Sequence, residues 1–515
     1  MADPPDPRAG SVRGILELQA LKSPAADFLI APETGRRLGF GDLLRSSRAI
    51  AAFLAAQGIA AGAHVGLLLP NGLQAVRLFV GLAAGGHVVV PLSLIARPAQ
   101  LAFILGHSDC QAVFVAPERE EALRAALASV RREAGVRLFV VDPDSALLPG
   151  ESEQASWLDP EPAADAPALL MYTSGTTGRP KGVLLTQRNV LAGARFVSEA
   201  HRLNTSDRVL AVLPLYHINA QIVTVLAPLY HGGSLVMPRR FSTADFWRLA
   251  AEHDCTWLNV VPTMIAYLLQ HECVKTATRG AGRLRFCRSA SAPLPPAQQQ
   301  AFEERFGVGI IETMGLTETA APVFANPIEQ GARRLGSPGR AFGNEARVID
   351  PDSGVEQAVG AVGEIVVRGE NVMTAYYKAP EDSARAFTAD GWLRTGDLGY
   401  RDEQGFYFIT GRLKELIIKG GENIAPREID EVLLAHPAVL EAAAFAIPHP
   451  LYGQEIAAGV VLRPGEAGDD LIAFCRHHLG LFKTPARILV LDELPKGPSG
   501  KVQRLRLSNL IAQDR

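Results

Sequence analysis

The sequence predicts an α/β protein with a large N-terminal domain of parallel, helix-covered sheets carrying a β subdomain, followed by a small α+β C-terminal domain. Three observations predict it. From Gly41 to Phe306, helical apolar periodicity alternates with short buried apolar runs, the pattern of parallel sheets covered by helices. From Ala346 the pattern changes to short strands divided by glycine turns. From Leu413 a fresh succession of strands and helices begins, about the size of a small domain. A chain of 515 residues is also too long for one hydrophobic core.

In order, Gly41–Gly58 repeats apolar residues at helical spacing and stops on Gly58, and Val65–Leu69 reads as the strand that follows. The alternation continues with helix Ala75–Ala84, strand Val88–Leu92, helix Leu101–Leu105, strand Ala112–Val115, helix Glu118–Ala134 and strand Arg137–Val141. Asp142–Asp165 is acidic, proline-rich and aperiodic, a surface connection. Ala166–Met171 is an apolar strand that delivers a polar loop. Arg208–Leu213 and Ser234–Met237 read as strands, with an apolar helical face over Gln221–Leu229 between them. Ser242–His253 is helical with Ser242 or Thr243 as its cap. Thr256–Val261 is a strand stopped by Pro262, and Thr263–Gln270 a helix. Arg285–Ser289 leads into Ser291-Ala292-Pro293-Leu294, and Pro296–Phe306 is helical. Strands Ala346–Ile349, Gly363–Arg368 and Gly405–Ile409 make the β subdomain. The last unit runs through strand Glu415–Ile418, helix Arg427–Ala435, strands Val439–Ile447 and Ile456–Leu462, helix Asp469–Leu479 and strand Arg487–Leu491.

Composition excludes several classes. A net charge of −3 from 51 basic and 54 acidic residues gives no electrostatic case for nucleic acid or an anionic membrane. Cys110, Cys255, Cys273, Cys287 and Cys475 are scattered and never in Cys-x-x-Cys spacing, so neither a disulfide framework nor a zinc site is indicated and a reducing cytoplasm is expected. The start, MADPPDPRAG, lacks the basic and apolar regions of a signal peptide. The longest apolar stretch, Ala75–Ala96, is broken by Arg77, Gly85, Gly86, His87 and Pro91, and so fails as a membrane span of about 20 residues.

The chemistry centres on YTSGTTGRPKG, Tyr172 to Gly182. Gly175 and Gly178 let the backbone turn closely around an anion, Thr173, Ser174, Thr176 and Thr177 add hydroxyl donors, and Lys181 adds a charge that pairs with phosphate. It is not a Walker loop, because Lys181 lies between Pro180 and Gly182. The stretch resembles the phosphate loop of the adenylate-forming superfamily, which contains acyl- and aryl-CoA synthetases, peptide-synthetase adenylation domains and beetle luciferases. Four further segments match that superfamily in order: Glu312-Thr313-Met314-Gly315-Leu316-Thr317-Glu318 its nucleotide pocket, Trp392 to Asp397 its ribose motif, Gly411 to Glu415 its interdomain hinge, and Pro498 to Lys501 its C-terminal lysine motif. The resemblance runs from Tyr172 to Lys501 and divides the chain into an AMP-binding domain over residues 1–411 (β-rich from about 340), a hinge at 412–414 and a mobile domain over 415–515.

The resemblance implies an acid:CoA ligase that uses ATP, Mg²⁺ and coenzyme A. A carboxylate is a poor acyl donor because its leaving group would be oxide; attack on the α-phosphate of ATP replaces oxide with AMP and releases pyrophosphate. Thr173–Lys181 would then hold the β- and γ-phosphates, Glu318 the Mg²⁺, Asp397 the ribose hydroxyls, and Arg412 the ribose or phosphate. Lys501 would reach the carboxylate and α-phosphate as charge develops. Adenine would lie between Ser291-Ala292-Pro293 and Thr313-Met314-Gly315, with Met314 where many relatives carry an aromatic ring. Thioester formation implies a domain rotation about Lys414 that brings Lys419-Gly420-Gly421-Glu422 to the pantetheine arm.

By the same analogy the acyl pocket is lined from His217 through Gln221, by Asn259–Pro262 including Val261, by Arg288–Ala292 including Ser289, and by Gly315–Thr317, with Val323 nearby. His217 would gate and position the acid, since a carboxylate nucleophile needs no general base. Asn219, Gln221 and Arg288 are more polar than a fatty-acyl tunnel requires, and Phe241–Trp247 and Arg285–Ser291 resemble oxalate–CoA ligases. A small polar or dicarboxylic acid is therefore expected, with Arg288 either meeting its second acidic group or sitting in a structural ion pair. The alternatives are a medium-chain fatty or aryl acid, or a stand-alone adenylation enzyme that loads a carrier protein. A monomer or homodimer is expected.

Overall fold

The computed structural model describes residues 10–130, 135–148, 155–173, 180–271, 282–468, 470–496 and 502–513. Two large sheets build the N-terminal domain. In the nine-stranded sheet, Asp27–Ala31, Ser234–Val236, Arg208–Ala211, Trp257–Val260, Phe286–Ser289 and Ile310–Leu316 run parallel, with antiparallel strands at both edges. In the seven-stranded sheet, Arg137–Val140, Cys110–Val115, His64–Leu68, Val88–Pro91 and Pro167–Thr173 are parallel. Antiparallel Lys181–Thr186 and Ala375–Tyr376 extend it. Helices Val12–Lys22, Phe40–Ala56, Leu73–Ala84 and Gln187–Ala200 share one apolar core with strands of both sheets. Every residue of Leu73–Ala84 is buried, which explains an apolar stretch too broken to span a membrane. Among the described residues no helix is long and apolar enough to cross one.

Glu345–Ile349, Gly363–Arg368, Leu393–Arg401 and Tyr407–Arg412 form an antiparallel four-stranded sheet, the expected β subdomain. The C-terminal domain has its own sheet, dominated by the hairpin of Val439–His449 with Gly453–Leu462. Helices Pro426–Ala435 and Leu471–Lys483 bury Ile429, Leu433 and Cys475 against it. Cys110, Cys255, Cys287 and Cys475 are free and buried.

Three expectations shift. The helix expected over Gln221–Leu229 is a wider π-helical coil over Asn219–Leu226 that passes into an α-helix at Ala227–His231. Ser242 does not cap a helix: its hydroxyl donates to Asp245 Oδ2 at 2.9 Å and accepts from Asp245 N–H at 3.3 Å, closing a turn, and the helix begins at Phe246. Leu413–Glu415 forms a short 3₁₀ turn, so the strand expected from Glu415 starts at Ile417. The helix Gln187–Ala200 was not legible in the sequence reading; Thr186 caps it, its hydroxyl accepting from Asn189 N–H at 3.2 Å.

Candidate active site

Strands Pro167–Thr173 and Lys181–Thr186 pair antiparallel with Thr173 opposite Lys181, so these two residues lie side by side. Ser174, Gly175, Thr176, Thr177 and Gly178 lie outside the described residues, as does Lys501. Lys181 Nζ pairs with Asp382 Oδ1 at 2.9 Å and stands 5.0 Å from the ring centroid of Tyr376. The Lys181 ammonium holds the Asp382 carboxyl below the usual carboxylate range.

Glu318 sits in the tight turn Thr317–Thr319, where Tyr376 Oη donates to its Oε1 at 2.9 Å and Met373 N–H to its carbonyl at 2.7 Å. The turn continues into Ala320 and Ala321, whose φ values of 44° and 80° are left-handed, a strained path that clusters at functional sites. Opposite it only glycine fits at 315, since a Cβ there would lie 1.4 Å from the Ala321 carbonyl oxygen. Among the described residues no group of three or more His, Cys, Asp or Glu side chains could hold a metal by itself. A single carboxylate suits Mg²⁺ that arrives on nucleotide phosphates, because this hard cation keeps oxygen ligands from phosphate and water. The donor set at Glu318 therefore fits.

Asp397 is buried and register-paired with Arg412, which donates to its two oxygens at 2.6 and 3.3 Å. That carboxylate raises the Arg412 pKa. Ser291 has a left-handed φ of 75°, and Ala292 and Pro293 are exposed beyond it. Glu312 is buried below them: Leu294 N–H donates to its Oε1 at 3.0 Å, its Oε2 has no partner among the described residues, and burial raises its pKa to about 7. Thr313 Oγ1 donates to the Ser289 carbonyl at 3.3 Å, and Met314 is half-buried in the same strand.

The expected acyl-pocket residues separate into two sets. Asn259 and Arg288 are register partners on adjacent parallel strands, so their side chains share a face. Arg288 Nη1 donates to Asn259 Oδ1 at 2.9 Å and to Asn219 Oδ1 at 3.0 Å. Asn219, from the π-helical coil, also donates to Ser291 Oγ at 3.2 Å, joining this cluster to the Ser291 segment. Arg288 is 2% exposed, and among the described residues its Nε has no partner and no carboxylate pairs with it. The structural ion pair is thus not found there, and burial alone lowers its pKa to about 9. Ser289 faces the other way, with Val260 and Glu312 as register partners. Gln221 is committed to the backbone, its amide donating to the Leu215 carbonyl at 2.7 Å and bracing the loop that carries His217. The His217 ring packs 4.5 Å from that of Tyr216. Val261 precedes helix Pro262–Gln270.

In the C-terminal domain, Gly420 and Gly421 have φ of 59° and 89° and form a two-residue hairpin between register partners Lys419 and Glu422. The Lys419 Nζ pairs with Glu455 at 2.6 Å and donates to the Phe482 carbonyl at 2.8 Å, bracing the hairpin from within. Lys414 lies in the 3₁₀ turn, and its charge adds a minor share to the lowering of the Asp382 pKa that Lys181 dominates. Sequence reading missed Tyr376 and Asp382. They lie between motifs, and the two-residue strand Ala375–Tyr376 has no periodicity to reveal it.

The profile described as "AMP-binding enzyme" matches residues 16–377, and that described as "AMP-binding enzyme C-terminal domain" matches residues 428–501. The chain is 55% identical over 506 residues to a sulfoacetate–CoA ligase of Cupriavidus necator, covering 97% of each. It is 35% identical over 472 residues to an oxalate–CoA ligase of Arabidopsis thaliana, covering 89% of this chain and 90% of the other. The crystal structure of ATP-bound MatB from Rhodopseudomonas palustris superimposes with a TM-score of 0.89 at 29% identity, over 97% of this chain and 99% of that one.

Proposed function

Because the chain belongs to the AMP-binding enzyme family and is an ATP-dependent, AMP-forming acid:CoA ligase, we propose that its acid is a short one bearing a second anionic group, of the sulfoacetate kind. The observation that carries this reading is Arg288. An uncompensated guanidinium inside a protein costs several kcal/mol. Two amide oxygens satisfy Nη1 but cannot neutralise the charge, and a pKa near 9 leaves the group protonated at neutral pH. A sulfonate or second carboxylate brought against it in the low-dielectric interior recovers that cost, whereas an alkyl or aryl chain would deepen it. The 55% identity to a sulfoacetate–CoA ligase supports the sulfonate.

The steps follow from this placement. With its distal anion at Arg288 and the nearby amides, the acid directs its carboxylate toward the side marked by Ser291, where the α-phosphate is expected. Lys181 and the loop around Thr173 carry the β- and γ-phosphates, Asp397 and Arg412 hold the ribose, and Lys501 approaches the reacting oxygens. Mg²⁺ held at Glu318 would neutralise phosphate charge. Carboxylate oxygen bonds to the α-phosphorus as the bond to pyrophosphate breaks. Rotation about residues 412–414 then admits CoA, whose sulfur takes the acyl group as AMP leaves.

Release of AMP should be measured with sulfoacetate, oxalate, malonate, acetate, hexanoate and benzoate, with and without CoA. The expected result is kcat/KM highest for a dianionic short acid. In R288M it should fall for that acid by about a hundred-fold, while the weak activity on acetate persists. Equal losses on both acids, or a wild-type preference for hexanoate or benzoate, would remove the reading.

A further inference from the structure

Residues 375–382 form a strap that touches the nucleotide machinery at two points and belongs to none of the motifs above. Its strand Ala375–Tyr376 pairs with the strand that follows the phosphate loop, Tyr376 opposite Val183, and Tyr377 N–H donates to the Gly182 carbonyl at 2.7 Å. Its far side is tied down: Tyr377 Oη donates to Asp109 Oδ2 at 2.7 Å, and Lys378 pairs with that carboxylate at 2.6 Å. Both Asp109 and Lys378 take left-handed φ values, 54° and 52°, without being glycine. Ser383 completes the brace by accepting from Tyr376 N–H at 2.9 Å. From this anchored strap Asp382 reaches Lys181, and the Tyr376 ring lies beneath the same ammonium while its hydroxyl reaches Glu318.

We propose that Tyr376 is a positioning residue for adenylate formation, its hydroxyl holding Oε1 of Glu318 so that the remaining carboxylate lone pairs face the metal that accompanies ATP. The inference rests on the reading that Glu318 is the metal-binding carboxylate. A carboxylate in a turn of three residues has two free side-chain torsions beyond Cβ, and one hydrogen bond to a fixed phenol restricts both. Because the strap also places Asp382 at Lys181, one rigid segment sets the separation between the metal's carboxylate and the cation that meets the phosphates.

The test compares wild type, Y376F, E318Q and the double variant; Y376F keeps the ring under Lys181 and removes only the hydroxyl. Two readouts are taken: Mn²⁺ binding to the enzyme–ATP complex by electron paramagnetic resonance, and the Mg²⁺ concentration giving half-maximal acid-dependent pyrophosphate release. Y376F is expected to weaken Mn²⁺ binding and raise the half-saturating Mg²⁺ about five-fold. Its kcat at saturating Mg²⁺ and its ATP affinity in EDTA should stay near wild type, and the hydroxyl's removal should have no further effect in the E318Q background. Unchanged metal dependence in Y376F overturns the proposal. So does an effect that persists undiminished beside E318Q, or an equal loss of metal-free ATP binding. If E318Q itself leaves Mn²⁺ binding intact, it is the assignment of Glu318 that fails, a result separable from the failure of Tyr376.

Discussion

Glu312 shows how burial sets the chemistry of one residue. Its carboxyl is fully enclosed, accepts one backbone N–H, and stays protonated up to about pH 7. The unfolded chain releases the same proton near the ordinary glutamate value. Between those two values the folded state holds the proton and the unfolded state does not, so stability falls as pH rises through the window and the full loss is present above pH 7. The contribution is up to about 3 kcal/mol. E312Q keeps an oxygen for the Leu294 N–H and cannot ionise. Urea titrations at pH 5 and pH 8 should therefore show a smaller difference for E312Q than for wild type, with E312Q the more stable of the two at pH 8. An identical pH dependence would mean that Glu312 is ionised in the folded protein.

At the scale of elements, the approach of helix Gln187–Ala200 to the Glu318 turn depends on Gly193. A Cβ there would stand 2.3 Å from the Ala320 carbonyl oxygen and 3.0 Å from Ile222 Cγ2 on the π-helical coil. Alanine ordinarily gains about 1 kcal/mol over glycine inside a helix. Here the sign should reverse, and G193A should lose about 1–3 kcal/mol by overpacking and raise the KM for ATP by displacing the turn that carries Glu318. Denaturant midpoints and ATP saturation curves decide it; a stabilised G193A would show that helix and turn have room to part. Contacts of this kind were not legible in the sequence. The strings around Lys181, Glu318, Asp397 and Lys414 stand out in the sequence because each is contiguous. The alternating parallel sheets were legible because buried strands are short apolar runs. The π-helical coil, the Asn259–Arg288 register and the Tyr376–Glu318 bond were not, since each is fixed by residues far apart in the chain. Ser242 was misread because a serine before an apolar run caps a helix or closes a turn equally well, and Asp245 decides between them.

For the whole molecule, the C-terminal domain has its own sheet and core, and the chain enters it through Leu413–Glu415. Near that passage Arg427 donates to the Ile409 carbonyl and the Ala425 methyl faces Gly411, where an added Cβ would lie 3.4 Å away. If this domain rotates between half-reactions, as proposed, Lys414 must change its backbone torsions, and proline would lock φ near −65° and remove the N–H. K414P should then keep acid-dependent ATP–pyrophosphate exchange within about three-fold while slowing thioester formation by about a hundred-fold, because only the second step requires the rotation. K501A should give the converse: exchange nearly abolished, yet transfer to CoA preserved when the acyl adenylate is supplied ready-made. Measuring both half-reactions in both variants makes the division of labour falsifiable. If either substitution depresses the two rates equally, the two steps share one arrangement of the domains and the hinge at 412–414 has no catalytic role.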